Sequence, residues 1–361
     1  MYPYFLLWPS CRQTLSEATR IMSRMNKLSS NIYNQYLRQD EAKLKLWRYA
    51  GLMLTYKCPA ECEFCYYCCG PDKNGLMSVE TAMNAWSGLI ELSGENARVH
   101  ITGGEPFLFF DRLLEIATEA KKEGFGCLDS IETNGWWAID RKDITEKLRR
   151  LKSVGMDHLK ISWDAFHAQF IDIERVRLLA ETAEEVLGAG GVMVRWQKYL
   201  DGGMGKMNKK NRDEMYLEAT KDYPCRFTGR AARGIAELVA NKNIDEVTRS
   251  SCRSGFLSAK GVHVDPYGNV FSGLCSGIII GNVSEENLAE IWRNFNPPEC
   301  EFISELFGDS KRNLLVSAVE SGYKVRGSYA DKCHFCTDMR QFFFDSGQYR
   351  PIIGPVDCYA S

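Results

Sequence analysis

An α/β fold is predicted: a partial (β/α)6 TIM-like barrel with an N-terminal helical segment before it and a small C-terminal cysteine-rich α+β domain after it. Three observations predict it. Short apolar or β-branched runs alternate with helix-like stretches at roughly 30 to 35 residues, the rhythm of consecutive βα units on a parallel sheet. The rhythm ends after some 180 residues, too soon for eight units. Beyond it, cysteines and turn residues replace the alternation. The boundaries read as 1–48 for the helical segment, 49–235 for the barrel and 236–361 for the cysteine-rich domain.

Residues 11–48 carry apolar residues at helical spacing among charges, without glycine or proline, and predict one or two amphipathic helices. Strands follow at 51–56, 98–102, 128–133, 158–163 and 191–196, with a sixth, weaker one near 224–229. Helices are predicted between them at 78–93, 111–124, 141–155 and 172–190, with Ser78 and Asp111 as opening caps and several closing glycines. In either parallel architecture the chemistry belongs at the C-terminal ends of the strands. There the sequence places "TYKCPAECEFC", "GGEPF", "TNGWW" and "SWDAFH", four unusual segments on one rim.

With 361 residues, 45% of them apolar, the chain can fill a sizeable core. Its 45 basic and 47 acidic residues leave no surplus positive field, which disfavours nucleic acid, a tRNA substrate included. The basic run at 205–212 reads as a solvated loop. The first ten residues lack the basic leader of a signal peptide, and no window approaches the roughly 18 to 20 apolar residues of a membrane span. A cytoplasmic location is expected. In that reducing compartment, 14 cysteines point to metal ligation rather than disulfides.

Cys58, Cys62 and Cys65 stand at C-x3-C-x2-C spacing directly after the first strand. Three thiolates on one short loop can hold three corners of a cubane 4Fe-4S cluster and leave one iron open to a small molecule. A structural zinc site is the bland alternative. The pattern resembles the radical S-adenosylmethionine (radical SAM) superfamily, with Phe64 at the aromatic position before the third cysteine. The resemblance implies a cluster whose free iron binds S-adenosylmethionine, and reductive cleavage to a 5′-deoxyadenosyl radical that abstracts hydrogen from an unactivated C–H bond. It extends to Gly103, Gly104, Glu105 and Pro106, a "GGEP" motif one strand later. Here the glycines are expected to let the backbone approach the ligand, and Glu105 or nearby carbonyls to accept from the methionyl ammonium. Asn134 and Ser162 carry over as contacts to the cofactor carboxylate or ribose. Arg195 reads equally as a carboxylate contact or a structural ion pair. Cys68 and Cys69 are surplus to the triad, one expected in the core and the other at the rim.

The tract from Cys252 to Trp292 is similar to the SPASM and twitch extensions of that superfamily. Asp265, Pro266 and Gly268 match its turn, and Gly281, Asn282, Val283 and Trp292 follow in order. Cys252, Cys275, Cys333 and Cys336 can complete one auxiliary 4Fe-4S cluster. Cys275 stands two residues late, since the family's cysteine matches Gly273, so Cys300 and Cys358 are candidate substitutes and zinc is an alternative. A fully ligated auxiliary cluster would accept an electron and make the reaction an oxidation. One with an open iron would anchor substrate.

Asp164 and His167 lie beyond the cofactor motifs and are the candidate catalytic pair, a carboxylate orienting an imidazole for deprotonation. The competing reading is that Asp164 caps a helix and His167 packs. Trp136, Trp137 and Trp163 wall a pocket or belong to the core. The first functional expectation is radical chemistry on a small molecule in natural-product or cofactor synthesis, of oxidoreductase type, with an electron donor such as flavodoxin or ferredoxin. The alternative is a maturase of a ribosomally made peptide, and a non-catalytic iron–sulfur redox sensor comes third. The small molecule ranks first because the segment before residue 49 reads as too short and too helical for a peptide-binding winged helix.

Overall fold

A computed structural model describes residues 27–126, 128–202, 211–222, 226–249, 251–273, 275–308 and 313–360. Residues 1–26, the greater part of the basic run and residues 223–225 lie outside the described residues. A short helix, α1 (Ile32–Gln35), opens the described chain. Residues 37–48 then run without helix, unlike the amphipathic segment expected at 11–48. Their backbone bonds outward instead of i to i−4: Lys45 N donates to Leu257 O (2.9 Å) and Arg48 N to Lys260 O (2.7 Å). Leu44, Leu46 and Trp47 are buried, so this segment is a strap over the core.

The five predicted strands and the four predicted helices between them are present, and a further short helix follows the fifth strand. They are β1 (Tyr49–Met53), α2 (Val79–Ser93), β2 (Arg98–Thr102), α3 (Phe110–Lys122), β3 (Leu128–Thr133), α4 (Arg141–Ser153), β4 (Met156–Ser162), α5 (Ile173–Leu187), β5 (Val192–Arg195) and α6 (Gln197–Gly202). In α2, Ser78 Oγ accepts from Thr81 N at 2.9 Å, a cap worth about 1 kcal/mol. Ala82, Ala85, Trp86, Leu89 and Leu92 form its buried stripe. Each such leucine contributes about 1.5–3 kcal/mol through the water it leaves. Asp111, expected as a cap, lies inside the first turn of α3. There its charge favours the positive helix end.

β1 to β5 pair in parallel. The sixth parallel strand is not near 224–229, where Arg226–Thr228 carry no strand. It is β7 (Gly261–Val264), which pairs with the free edge of β1. Ahead of it lie α7 (Arg212–Asp222), the two-residue strand β6 (Lys242–Asn243), α8 (Ile244–Thr248) and α9 (Arg253–Leu257). β8 (Asn269–Ser272) and β9 (Ile279–Asn282) continue antiparallel, giving the order β5-β4-β3-β2-β1-β7-β8-β9. The sheet therefore runs on through the predicted 235/236 boundary. Asp265 makes the β7–β8 turn, accepting from Tyr267 N and Asn269 N at 2.9 Å each. The C-terminal part adds α10 (Leu288–Asn294), α11 (Glu301–Phe307), α12 (Leu314–Glu320), β10 (Ser328–Tyr329) and α13 (Lys332–Ser346). Among the described residues no helix is long and apolar enough to cross a membrane.

Candidate active site

The loop after β1 is closed at its neck, where Cys58 N donates to Gly70 O at 3.0 Å. Cys65 N donates to Cys62 O at 3.0 Å, which folds the triad onto one turn. The segment expected as a strand clamps this loop instead. Arg230 Nε donates to Cys62 O (3.0 Å), its Nη2 bonds Cys69 O, and Arg230 N donates to Cys65 O (3.1 Å). Gly229 has φ +59, and a Cβ there would meet Cys65 O at 2.5 Å. Only glycine permits that approach.

Cys58 and Cys62 are buried and Cys65 partly so, and all three are free thiols. Burial pushes Cys58 up to about 12 and raises Cys62 well above the usual thiol range, with Cys65 adding to both. Among the described residues no group of three or more His, Cys, Asp or Glu is already gathered to hold a metal ion. The donor set nonetheless fits an iron–sulfur cluster: three soft thiols, one loop, no disulfide, and a guanidinium beside them. Cys68 and Cys69 are both buried, so neither is a rim thiol. Cys69 N donates to Cys65 Sγ at 3.4 Å, while the Cys68 thiol donates to Cys358 O at 3.6 Å.

The "GGEP" glycines let the end of β2 approach the start of this loop. A Cβ on Gly103 would meet Thr55 O at 2.6 Å, and one on Gly104 would meet Lys57 O at 2.0 Å. Gly104 N donates to Thr55 O (2.7 Å) and Glu105 N to Lys57 O (3.0 Å). Glu105, expected to face the methionyl ammonium, is wholly buried. Its carboxylate accepts from Thr133 Oγ1 (2.9 Å), Asn134 N (2.8 Å) and Phe107 N (3.1 Å), which joins the motif to the end of β3. Pro106 starts the short turn into α3. Burial raises Glu105 from 4.5 to about 7 despite these donors. In the cluster-free protein it therefore takes its charge later than in the unfolded chain, so its contribution to stability is full below pH 4.5 and is lost as pH rises through about 7. Glu105→Gln should flatten that decline, as read from denaturation midpoints of the two proteins at pH 5 and pH 8.

Asn134 Nδ2 donates to Cys58 Sγ at 3.5 Å, and its Oδ1 accepts from Trp136 N at 2.9 Å. Ser162 and Arg195 are register partners at the ends of β4 and β5. Phe64 stacks on Phe166 at 5.0 Å and meets Trp196 edge-on at 5.8 Å. The Arg195 guanidinium lies 5.9 Å from the Phe64 ring centre and 5.0 Å from that of Trp196. Asp164 Oδ2 stands 2.8 Å from His167 Nδ1, and its Oδ1 accepts from Phe166 N and His167 N. The pair thus caps its own turn and also acts on the cysteine loop, since Asp164 helps raise Cys62 after burial does.

Sequence reasoning missed the polar residues inside the strands. Glu132 accepts from Thr102 Oγ1 (3.0 Å) and lies 3.9 Å from His100 Nε2 and 3.7 Å from Lys160 Nζ. Burial would raise it, but His100, Lys160 and Arg195 hold it down to about 2. The His100 and His263 rings meet at 5.6 Å, and a Cβ on Gly51 would collide with both. The signal was present: strands of a covered parallel sheet are apolar on both faces, and alternating His, Glu and Lys break that rule.

In the C-terminal part, Cys252 precedes α9, Cys275 follows β8, and Cys333 and Cys336 open α13. Burial, then Cys336 and Cys275, pushes Cys252 up to about 12. Cys333 is raised by burial, with Asp331 and Cys275 adding to it. Gly273, at the family's cysteine position, has φ +55, a conformation that a cysteine would strain. Of the substitutes, Cys300 is raised by burial against hydrogen bonds from its own turn, and Cys358 lies 3.5 Å from the Tyr56 hydroxyl.

Residues 52–189 match the sequence model of the Radical SAM superfamily. YydG of Bacillus subtilis (strain 168), named for peptide biosynthesis, is 26% identical over 137 residues, 36% of this chain and 40% of YydG. The chain thus spans well under half the length of that relative. Solved structures with some likeness include BtrN in complex with AdoMet and 2-DOIA (15% identical, 74% of this chain and 91% of that one, TM-score 0.44). Another is anSMEcpe with bound AdoMet and the Cp18Cys peptide (16%, 82% and 97%, TM-score 0.43). Streptococcus suis SuiB bound to S-adenosylmethionine is a third (13%, 78% and 72%, TM-score 0.35). The family match takes in the cysteine loop, the "GGEP" turn and the sheet from β1 to β4, and residues 52–189 carry a radical SAM superfamily domain.

Proposed function

We propose that this radical SAM enzyme abstracts hydrogen from a ribosomally made peptide. The observation that carries this reading is the similarity to YydG, a protein named for peptide biosynthesis, over 137 residues. It reverses the order drawn from the sequence, in which a small molecule came first.

Cys58, Cys62 and Cys65 would hold the cluster, and Cys252, Cys275, Cys333 and Cys336 an auxiliary one of twitch type. When bound, the first cluster with S-adenosylmethionine supplies a 5′-deoxyadenosyl radical, and the auxiliary cluster supplies a one-electron acceptor that makes the overall reaction an oxidation. Asn134 orients Cys58, Ser162 and Arg195 face the cofactor, and the aromatic wall of Phe64, Phe166 and Trp196 keeps water from the reacting end. His167, steadied by Asp164, takes a proton from the substrate. Reduction is assigned to a flavodoxin or ferredoxin.

Deuterated substrates test the reading. Peptide libraries with one residue type perdeuterated should yield deuterium in 5′-deoxyadenosine for a single residue type. Label arriving only from deuterated aminocyclitols or other small polyols would return the small-molecule reading to first place. For the auxiliary site, Cys333→Ala/Cys336→Ala should lower reconstituted iron from about eight to about four per chain while 5′-deoxyadenosine still forms without substrate. Unchanged iron would remove the auxiliary cluster.

A further inference from the structure

Arg340 sits in the middle of α13, one turn beyond Cys336, so the two side chains share a helix face. It is 4% exposed. A guanidinium has five N–H donors in a fixed fork. Nη1 donates to Ser276 O (2.6 Å) and Tyr359 Oη (3.4 Å), and Nη2 donates to Thr337 Oγ1 (3.1 Å) and Thr228 Oγ1 (3.3 Å). The fifth donor, Nε–H, is buried and has no partner.

A buried, unpaired donor on a cation is costly. No carboxylate lies within ion-pair distance of Arg340 among the described residues. Burial works against the guanidinium charge, while Tyr359, Cys336 and Cys275 favour it. Arg340 in turn pulls on Cys275. A buried cation with one idle donor therefore stands beside two of the four auxiliary cysteines. A tetrathiolate 4Fe-4S cluster carries net negative charge and sulfurs that accept hydrogen bonds, both of which set its potential.

We propose that Arg340 donates its Nε–H to a sulfur of the auxiliary cluster and, with its charge, raises that cluster's reduction potential. It is a positioning and tuning residue, and the assignment rests on the auxiliary-cluster reading above. The same side chain holds Ser276, whose Oγ donates to Tyr66 O (2.6 Å) on the loop of the first triad. Tuning of the second site is thereby tied to the shape of the first.

The test uses the reconstituted full chain carrying Cys58→Ala/Cys62→Ala/Cys65→Ala, so that only the auxiliary signal remains. With guanidinium-¹⁵N arginine incorporated, pulsed electron paramagnetic resonance of the reduced cluster should show a ¹⁵N coupling that disappears in Arg340→Lys. A redox titration should place the Arg340→Lys midpoint at least about 59 mV lower, a tenfold change for a one-electron couple, at about four irons in both. Full iron with no ¹⁵N coupling, or with an unchanged midpoint, overturns the role of Arg340 and leaves the cluster standing. Absence of iron from the parent triple variant overturns the auxiliary reading and this assignment with it. Should Arg340→Lys fail to load iron, the ¹⁵N coupling in the parent decides alone.

Discussion

Cys58→Ala/Cys62→Ala/Cys65→Ala is expected to abolish 5′-deoxyadenosine formation outright and to halve bound iron, from about eight to about four per chain. On the proposed reading the loss is total, because the three thiols on one loop would be the entire protein ligand set of the cluster. Single replacements should do the same to activity, since an incomplete set releases the iron. Fold should survive: the loop is closed by main-chain bonds such as Cys58 N to Gly70 O, which alanine keeps. Anaerobic reconstitution, iron and sulfide analysis and a dithionite assay with product chromatography check the prediction. Residual 5′-deoxyadenosine from the triple variant would remove the triad from the chemistry.

Gly104→Ala is expected to be the most damaging added methyl among the described glycines. The new Cβ would stand 2.0 Å from Lys57 O and 2.6 Å from Lys57 C, and these are backbone atoms of a loop held at both ends. The displacement needed breaks the bonds from Gly104 N to Thr55 O and Glu105 N to Lys57 O. A loss of about 3 kcal/mol follows from overpacking and lost main-chain bonds together. Iron uptake should fail as well, because the cysteines follow Lys57 directly. Gly190→Ala, whose Cβ would meet nothing within 4 Å, is the control and should change little. Urea midpoints and iron content of the two variants check this. Equal stability in both would show that the loop yields freely.

The βα rhythm was legible because periodicity records burial. Helix α2 shows its stripe of Ala82, Ala85, Trp86, Leu89 and Leu92 at helical spacing whatever it packs against. The strap at 37–48 was misread for the converse reason. Its apolar residues also fall at helical spacing, but the main chain of Lys45 and Arg48 bonds to Leu257, Lys260 and Trp292, more than 200 residues away. Local pattern cannot report on such contacts. The sixth strand failed in the same way, since the edge of β1 takes β7 and leaves Gly229 and Arg230 to clamp the cysteine loop.

Spacing along the chain was enough for the cysteine triad, the "GGEP" turn, the Asp164 and His167 neighbours and the parallel order of β1 to β5, because each is a short-range relation between residue types. The fold had to be seen to learn what those residues touch. Glu105 is spent on the end of β3, Gly104 on Lys57, and Arg340 on the ground between Ser276 and Thr228. The group of His100, Glu132, Lys160 and His263 likewise comes from four strands, brought within reach by register alone. A hydrogen bond or an ion pair depends on distance in space, and only the closing of the sheet sets that distance.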